Sequence, residues 1–123
     1  MAKTNPRTGS TDRYLRELIK TLKRLSIEKK VRIWKAVAHE LERPTRIRRE
    51  VNLERISRVC KNNETIIVPG KVLGWGNLDK KLTVAAFAFS KQAFIKINES
   101  GKAIFISDLM HQNPSGSKVR IIG

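Results

Sequence analysis

The chain has 123 residues, 40% of them hydrophobic and 30% charged, which is the size of one domain with enough apolar content for a core and argues against disorder throughout. Lys plus Arg number 26 against 11 Asp plus Glu, a net charge of +15, and so large an uncompensated charge on a small body points to a polyanionic partner. One cysteine, Cys60, rules out an intrachain disulfide scaffold; the longest apolar run, at residues 82–89, is less than half a membrane span; and the N-terminus lacks the apolar stretch of a signal peptide. The expectation is a soluble, intracellular protein with no membrane partner.

The charge is uneven. Residues 1–61 hold 18 basic and 7 acidic side chains, and residues 62–123 hold 8 and 4. The first half reads as helical, the second as strands punctuated by Gly and Pro, and no internal repeat or low-complexity linker divides them. Residues 3–11, with Asn5-Pro6, Gly9 and four hydroxyls, have loop or tail chemistry, and Ser10 or Thr11 is placed to cap a helix. From Asp12 onward, Leu15, Leu18, Ile19, Leu22 and Leu25 make a helical stripe, with Arg13, Arg16, Lys20, Lys23 and Arg24 on the other faces. A second helix is predicted over residues 33–41, burying Ile33, Trp34, Val37 and Leu41 and closed by Pro44. Asn52 is placed to cap a third through about Cys60, with Leu53, Ile56 and Val59 inward.

Then the period changes. Thr65-Ile66-Ile67-Val68, bounded by Asn62-Asn63 and Pro69-Gly70, reads as a buried strand, and residues 82–89 as a central one. Ser90 is positioned to cap a helix reaching about Asn98, with Gly101 as its stop. Residues 103–106 form the next strand, so strand, helix and strand match a right-handed parallel crossover. A short helix to Gln112 follows and Asn113-Pro114-Ser115-Gly116-Ser117 breaks it. Residues 118–122 alternate charge and hydrophobe and are expected to lie extended against the body or a ligand. The predicted fold class is α/β: basic N-terminal helices, then a small mixed or parallel sheet with a β-α-β crossover and basic extensions at both ends. The predicted organisation is one domain over 1–123, with an arm at 1–11, a body at 12–112 and a tail at 113–123.

Catalytic patterns are missing from this string. His39-Glu40 begins like a zinc-protease motif, but Arg43 stands where its second histidine must fall. His111 has no sequence partner, Cys60 reads as a small buried hydrophobe, and no carboxylate pair stands out. Gly70, Gly74 and Gly76 match neither the dinucleotide fingerprint nor the phosphate loop. The chain is therefore expected to be no enzyme and to use no cofactor, metal or small-molecule substrate. Anion binding leaves the clearer trace. Arg43, Arg46, Arg48 and Arg49 flank Pro44, and an extended arginine-rich segment can lay bidentate forks along successive phosphates. In the loop expected at residues 69–77, Gly70 and Gly74 permit close backbone approach, Lys71 adds charge, and Trp75 either stacks on a base or ribose or folds back over the core. Trp34 reads as core.

Taken together, several segments are similar to the archaeal and eukaryotic large-subunit ribosomal protein eighteen family. They are Asn5-Pro6 before a basic helix, Val31-Arg32-Ile33-Trp34, and Arg46-Ile47-Arg48-Arg49-Glu50-Val51-Asn52. Further along come Val68-Pro69-Gly70-Lys71-Val72-Leu73-Gly74, Val84-Ala85-Ala86-Phe87 and Asn113-Pro114-Ser115-Gly116-Ser117-Lys118-Val119-Arg120-Ile121-Ile122. The resemblance spans about residues 4–122. Trp75 departs from it, since the family pattern has a small residue there. The resemblance implies kinship with bacterial large-subunit protein fifteen and an α/β domain whose basic extensions are buried in ribosomal RNA. It also implies a place in the cytoplasmic large subunit beside neighbouring ribosomal proteins, and no enzymatic activity. The expected RNA-binding residues are Lys3, Arg7, Arg43, Arg46, Arg48, Arg49, Gly70, Lys71, Gly74, Trp75, Lys80, Lys81, Ser117, Lys118 and Arg120. A free-standing RNA-binding regulator or chaperone would carry the same charge, and a nucleic-acid-modifying enzyme would need a metal or carboxylate site.

Overall fold

Runs of Ile, Val and Ala that scarcely alternate with polar residues must be covered on both faces, as parallel strands are. The computed structural model bears this out; it describes the backbone of residues 8–43 and 49–122, and side chains at 13–43 and 50–122. The order is α1 (Thr8–Lys29), α2 (Arg32–Leu41), β1 (Arg49–Asn52), α3 (Leu53–Val59), β2 (Thr65–Leu73), β3 (Thr83–Phe89), α4 (Lys91–Ser100), β4 (Lys102–Phe105), α5 (Ile106–Gln112) and β5 (Val119–Ile121). The strands pair in the order β1-β2-β3-β4, with β5 also on β2. Every pairing is parallel, so no mixed sheet forms among the described residues.

The sheet divides the core in two. On one face Ile66, Val68, Val72, Val84 and Ala86 pack with Leu53 and Ile56 of α3 and Ala93 and Ile97 of α4. On the other, Ile67, Ala85 and Ile104 meet Leu18 and Leu22 of α1, Trp34, Val37 and Leu41 of α2, and Leu109 and Met110 of α5. Trp34 is fully buried and its indole N–H donates to the Pro114 carbonyl at 2.7 Å, so the expectation of a core tryptophan holds.

Helix α1 starts at Thr8, ahead of the expected Asp12, so Ser10 and Thr11 lie inside the helix instead of capping it. Once a helix is nucleated each further residue is cheap, and nothing after Pro6 lacks an N–H. Its C-terminus turns at Lys30, whose φ of 56° lets Val31 N–H reach the Ser26 carbonyl at 3.1 Å, a left-handed stop achieved without glycine. Two further corrections concern strands. The short β1 was not expected: Val51 is its one buried apolar side chain, and pairing with β2 rather than hydrophobic pattern holds it. Strand β2 runs through Pro69-Gly70 instead of ending before them. Proline has no N–H for a ladder, and Pro69 falls where the register with β3 shifts, between Val68 and Lys71. On β2's other edge it falls between the stretch paired to β5 and the stretch paired to β1.

The crossover expectation holds, since β3 and β4 are parallel neighbours joined by α4. Ser90 caps α4 by accepting the Ala93 N–H at 3.1 Å. In α3, Asn52 occupies the cap position but its side chain makes no capping bond, and Val59 is 37% exposed rather than inward. Cys60, four residues after Ile56, takes the inward place. The C-terminal segment does lie extended, but as strand β5 within the sheet, so part of the expected tail at 113–123 belongs to the body. No helix among the described residues is long and apolar enough to cross a membrane.

Candidate nucleic-acid interface

The two halves of one edge of β2 gather segments that are far apart in sequence. Strand β1 pairs with its second half, setting Arg49 against Gly70 and Glu50 against Lys71. Strand β5 pairs with its first half, setting Arg120 against Ile66. Three of the basic candidate segments thus converge on one strand. Lys3, Arg7, Arg46 and Arg48 lie outside the described residues; of Arg49 only the backbone is described. The guanidinium of Arg43 lies 3.2 Å from Glu40 Oε1 on the preceding helical turn, a surface pair worth at most about 1 kcal/mol. The arginine segment is therefore partly balanced by Glu40 as well as by Glu50.

Residues 69–77 are not a single loop. Pro69 to Leu73 are strand, Gly70 is buried in it, and Lys71 is exposed. Gly74 is buried against α4: a Cβ there would lie 2.8 Å from Gln92 Cβ and 2.9 Å from the Ala93 nitrogen. Its smallness thus serves the fold's own packing, and backbone approach to a ligand is not what requires it. Gly76 has φ +99°, and a Cβ on it would lie 2.7 Å from the Glu54 nitrogen. Between these glycines Trp75 is 67% exposed, which removes the alternative that its ring covers the core. Three successive carbonyls of this turn are held: the Lys96 ammonium donates to Gly74 O at 3.0 Å and Gly76 O at 2.8 Å, and the Glu54 N–H donates to Trp75 O at 3.1 Å. Lys96 was not among the expected site residues, because a lysine on a helix surface carries no local sign that it will span to a loop 20 residues away.

The neighbours Lys80 and Lys81 part company. The Lys80 ammonium donates to the carbonyls of Ser57 and of Cys60, the latter at 2.6 Å. Those are orphan acceptors at the end of α3, where a cation is favoured by the helix dipole. Arg120 serves the same helix end, donating to Val59 O at 2.8 Å and to Glu64 Oε1 at 3.0 Å. Lys80 is thus an internal cap, and Arg120 is shared between the fold and its exposed side. Desolvation by burial pushes the Cys60 thiol above its usual pKa, an effect that Arg120 partly offsets. This suits a packed thiol rather than a nucleophile.

Lys81 is exposed and among the described residues only its backbone is engaged, its N–H donating to Asn62 Oδ1 at 2.9 Å and its carbonyl accepting from the Asn63 N–H at 2.6 Å. Ser117 and Lys118 are exposed beyond α5. The Ser117 carbonyl accepts from Asn113 Nδ2 at 2.9 Å, and Lys118, at φ 60°, turns the chain into β5. On α1, Arg13, Arg16, Lys20, Lys23 and Arg24 all stand exposed, with Lys23 paired to Glu42 at 2.6 Å. Among the described residues no group of three His, Cys, Asp or Glu side chains could hold a metal ion. The arrangement presents a broad cationic surface around a packed body.

Comparison with known proteins agrees in one direction. The family described as ribosomal protein 60S L18 and 50S L18e matches residues 1–123. The large ribosomal subunit protein eL18 of Haloarcula marismortui is 45% identical over 122 residues, covering 99% of each chain. The proteins of the same name from Methanoregula boonei and Methanococcus maripaludis are 46% and 43% identical over 121 and 120 residues. Those matches cover 98% and 97% of this chain and 94% of each relative.

Proposed function

The chain belongs to the family of ribosomal proteins 60S L18 and 50S L18e, and from that premise we infer that it is a structural constituent of the large ribosomal subunit that binds and stabilises folded ribosomal RNA. The observation that carries the reading is the convergence of the arginine segment, Lys71 and the Lys118–Arg120 segment on one strand of a chain with net charge +15. Cations laid along phosphates release condensed counterions, and this drives binding without reading sequence. Few aromatic residues, 6% of the chain, leave backbone and shape as the main things recognised. Its partners are the large-subunit RNA and the proteins beside it there, and its work is architectural rather than catalytic. Lys3, Arg7, Arg46 and Arg48 add to the positive charge that this role calls for.

A salt titration of binding to large-subunit RNA tests this. Replacing Arg46, Arg48 and Arg49 with Ala weakens binding to all RNA sequences alike and lowers the slope of log K against log salt by about one for each phosphate that is no longer neutralised. An unchanged slope overturns the assignment of these arginines. Failure of the wild-type chain to sediment with large subunits at moderate salt overturns the function.

A further inference from the structure

We propose that Trp75 is a pre-set stacking platform for an unpaired base of the RNA, an inference that rests on the RNA-binding reading above. An indole left 67% exposed gains nothing from the core, yet the backbone that carries it is held more firmly than an ordinary surface turn. Gly74, Trp75 and Gly76 each have their carbonyl occupied, two by Lys96 and one by the first turn of α3. On either side the glycines fit against α4 and α3 too closely for any Cβ. The bond from Glu54 also satisfies one of the orphan N–H groups at the start of α3, so the turn cannot relax without uncapping a helix.

A large flat ring on a rigid stem loses little freedom when a partner stacks on it. On a chain of net charge +15 the flat partner that long-range attraction brings is a nucleobase, not an apolar protein surface. Stacking is sequence-tolerant because every base has a π-face, so Trp75 adds affinity and fixes position without demanding one base.

The test uses the full chain and a protein-free transcript of large-subunit ribosomal RNA. Trp75→Ala weakens binding roughly 5- to 150-fold, the range that base–aromatic stacking supplies. The salt slope stays at the wild-type value, because every neutralised phosphate keeps its cation. Trp75→Phe keeps most of the affinity and Trp75→Leu does not. In the wild type, RNA protects part of the tryptophan emission from acrylamide; in Trp75→Phe only buried Trp34 emits, and RNA changes nothing. The proposal is overturned if Trp75→Ala binds within twofold of wild type. It is equally overturned if Trp75→Leu binds as well as Trp75→Phe, which would show that no flat π-face is needed, or if the salt slope flattens. A wild-type chain without salt-sensitive RNA binding instead removes the reading on which the proposal rests, and that result is seen before any variant is made.

Discussion

Lys80 and Lys81 show how differently two adjacent identical side chains can be employed. Sequence treats them as a pair of cations after a glycine-rich stretch, and nothing local separates them. In the fold, Lys80 turns inward to the carbonyls that end α3, whereas the side chain of Lys81 stays at the surface. Hydrogen bonds from a charged donor to otherwise orphaned carbonyls are worth more than neutral ones. Lys80→Ala therefore lowers stability by about 1–2 kcal/mol, read as a lower urea midpoint, and leaves the salt slope of RNA binding unchanged. Lys81→Ala does the reverse: its midpoint stays put and its slope falls by about one. Trp75 was undecided from sequence for a related reason. A tryptophan between glycines is compatible with both a core lid and an exposed platform, and only the packing of Gly74 and Gly76 onto the flanking helices sends the ring outward.

Elements whose cause is local were readable. The apolar stripe of α1, the Ser90 cap of α4 and the continuous β-branched start of β2 all follow from residue type and spacing, and they formed where expected. Elements whose cause is a partner strand were not. Strand β1 has one buried apolar residue and exists because β2 is beside it; β5 is three residues long for the same reason. Pro69 misled because a proline usually ends a strand, yet here it sits at a register shift where no N–H is required. The turn from α4 into β4 combines both kinds of cause. Gly101 was legible as a stop, but its necessity comes from the chain entering β3: a Cβ on Gly101 would lie 2.1 Å from the Leu82 carbonyl oxygen. Neighbouring bonds fasten the same place, Gly101 N–H to Ile97 O at 2.7 Å and Lys102 N–H to Leu82 O at 2.8 Å. Backbone cannot yield as a side-chain tip can, so Gly101→Ala costs at least the roughly 3 kcal/mol at the top of the usual range for overpacking. The expected result is a large drop in thermal midpoint or an insoluble chain, and a midpoint within a few degrees of wild type would contradict it.

At the scale of the molecule, a hydrophobic sheet sealed by helices on both faces leaves the cations on the outside, and the exposed row on α1 is a group that no strand edge organises. Replacing Arg13, Arg16, Lys20 and Arg24 with Gln keeps helix propensity and removes only charge. RNA binding weakens with a shallower salt slope, while thermal stability holds or rises slightly because self-repulsion falls. A filter-binding series at several salt concentrations, with circular dichroism of the same samples, separates the two effects; an unaltered slope would place the RNA on the sheet-edge side alone. Composition and apolar spacing sufficed to predict a polyanion partner, the α/β class and most helices, since net charge and periodicity are sums over neighbours along the chain. Which cations remain available to RNA was decided only by tertiary structure. The acceptors that claim Lys80 lie 23 and 20 residues away and those that claim Arg120 lie 61 and 56 away. A side chain's hydrogen-bond partner is set by what folding carries to its side, and no local pattern encodes that distance.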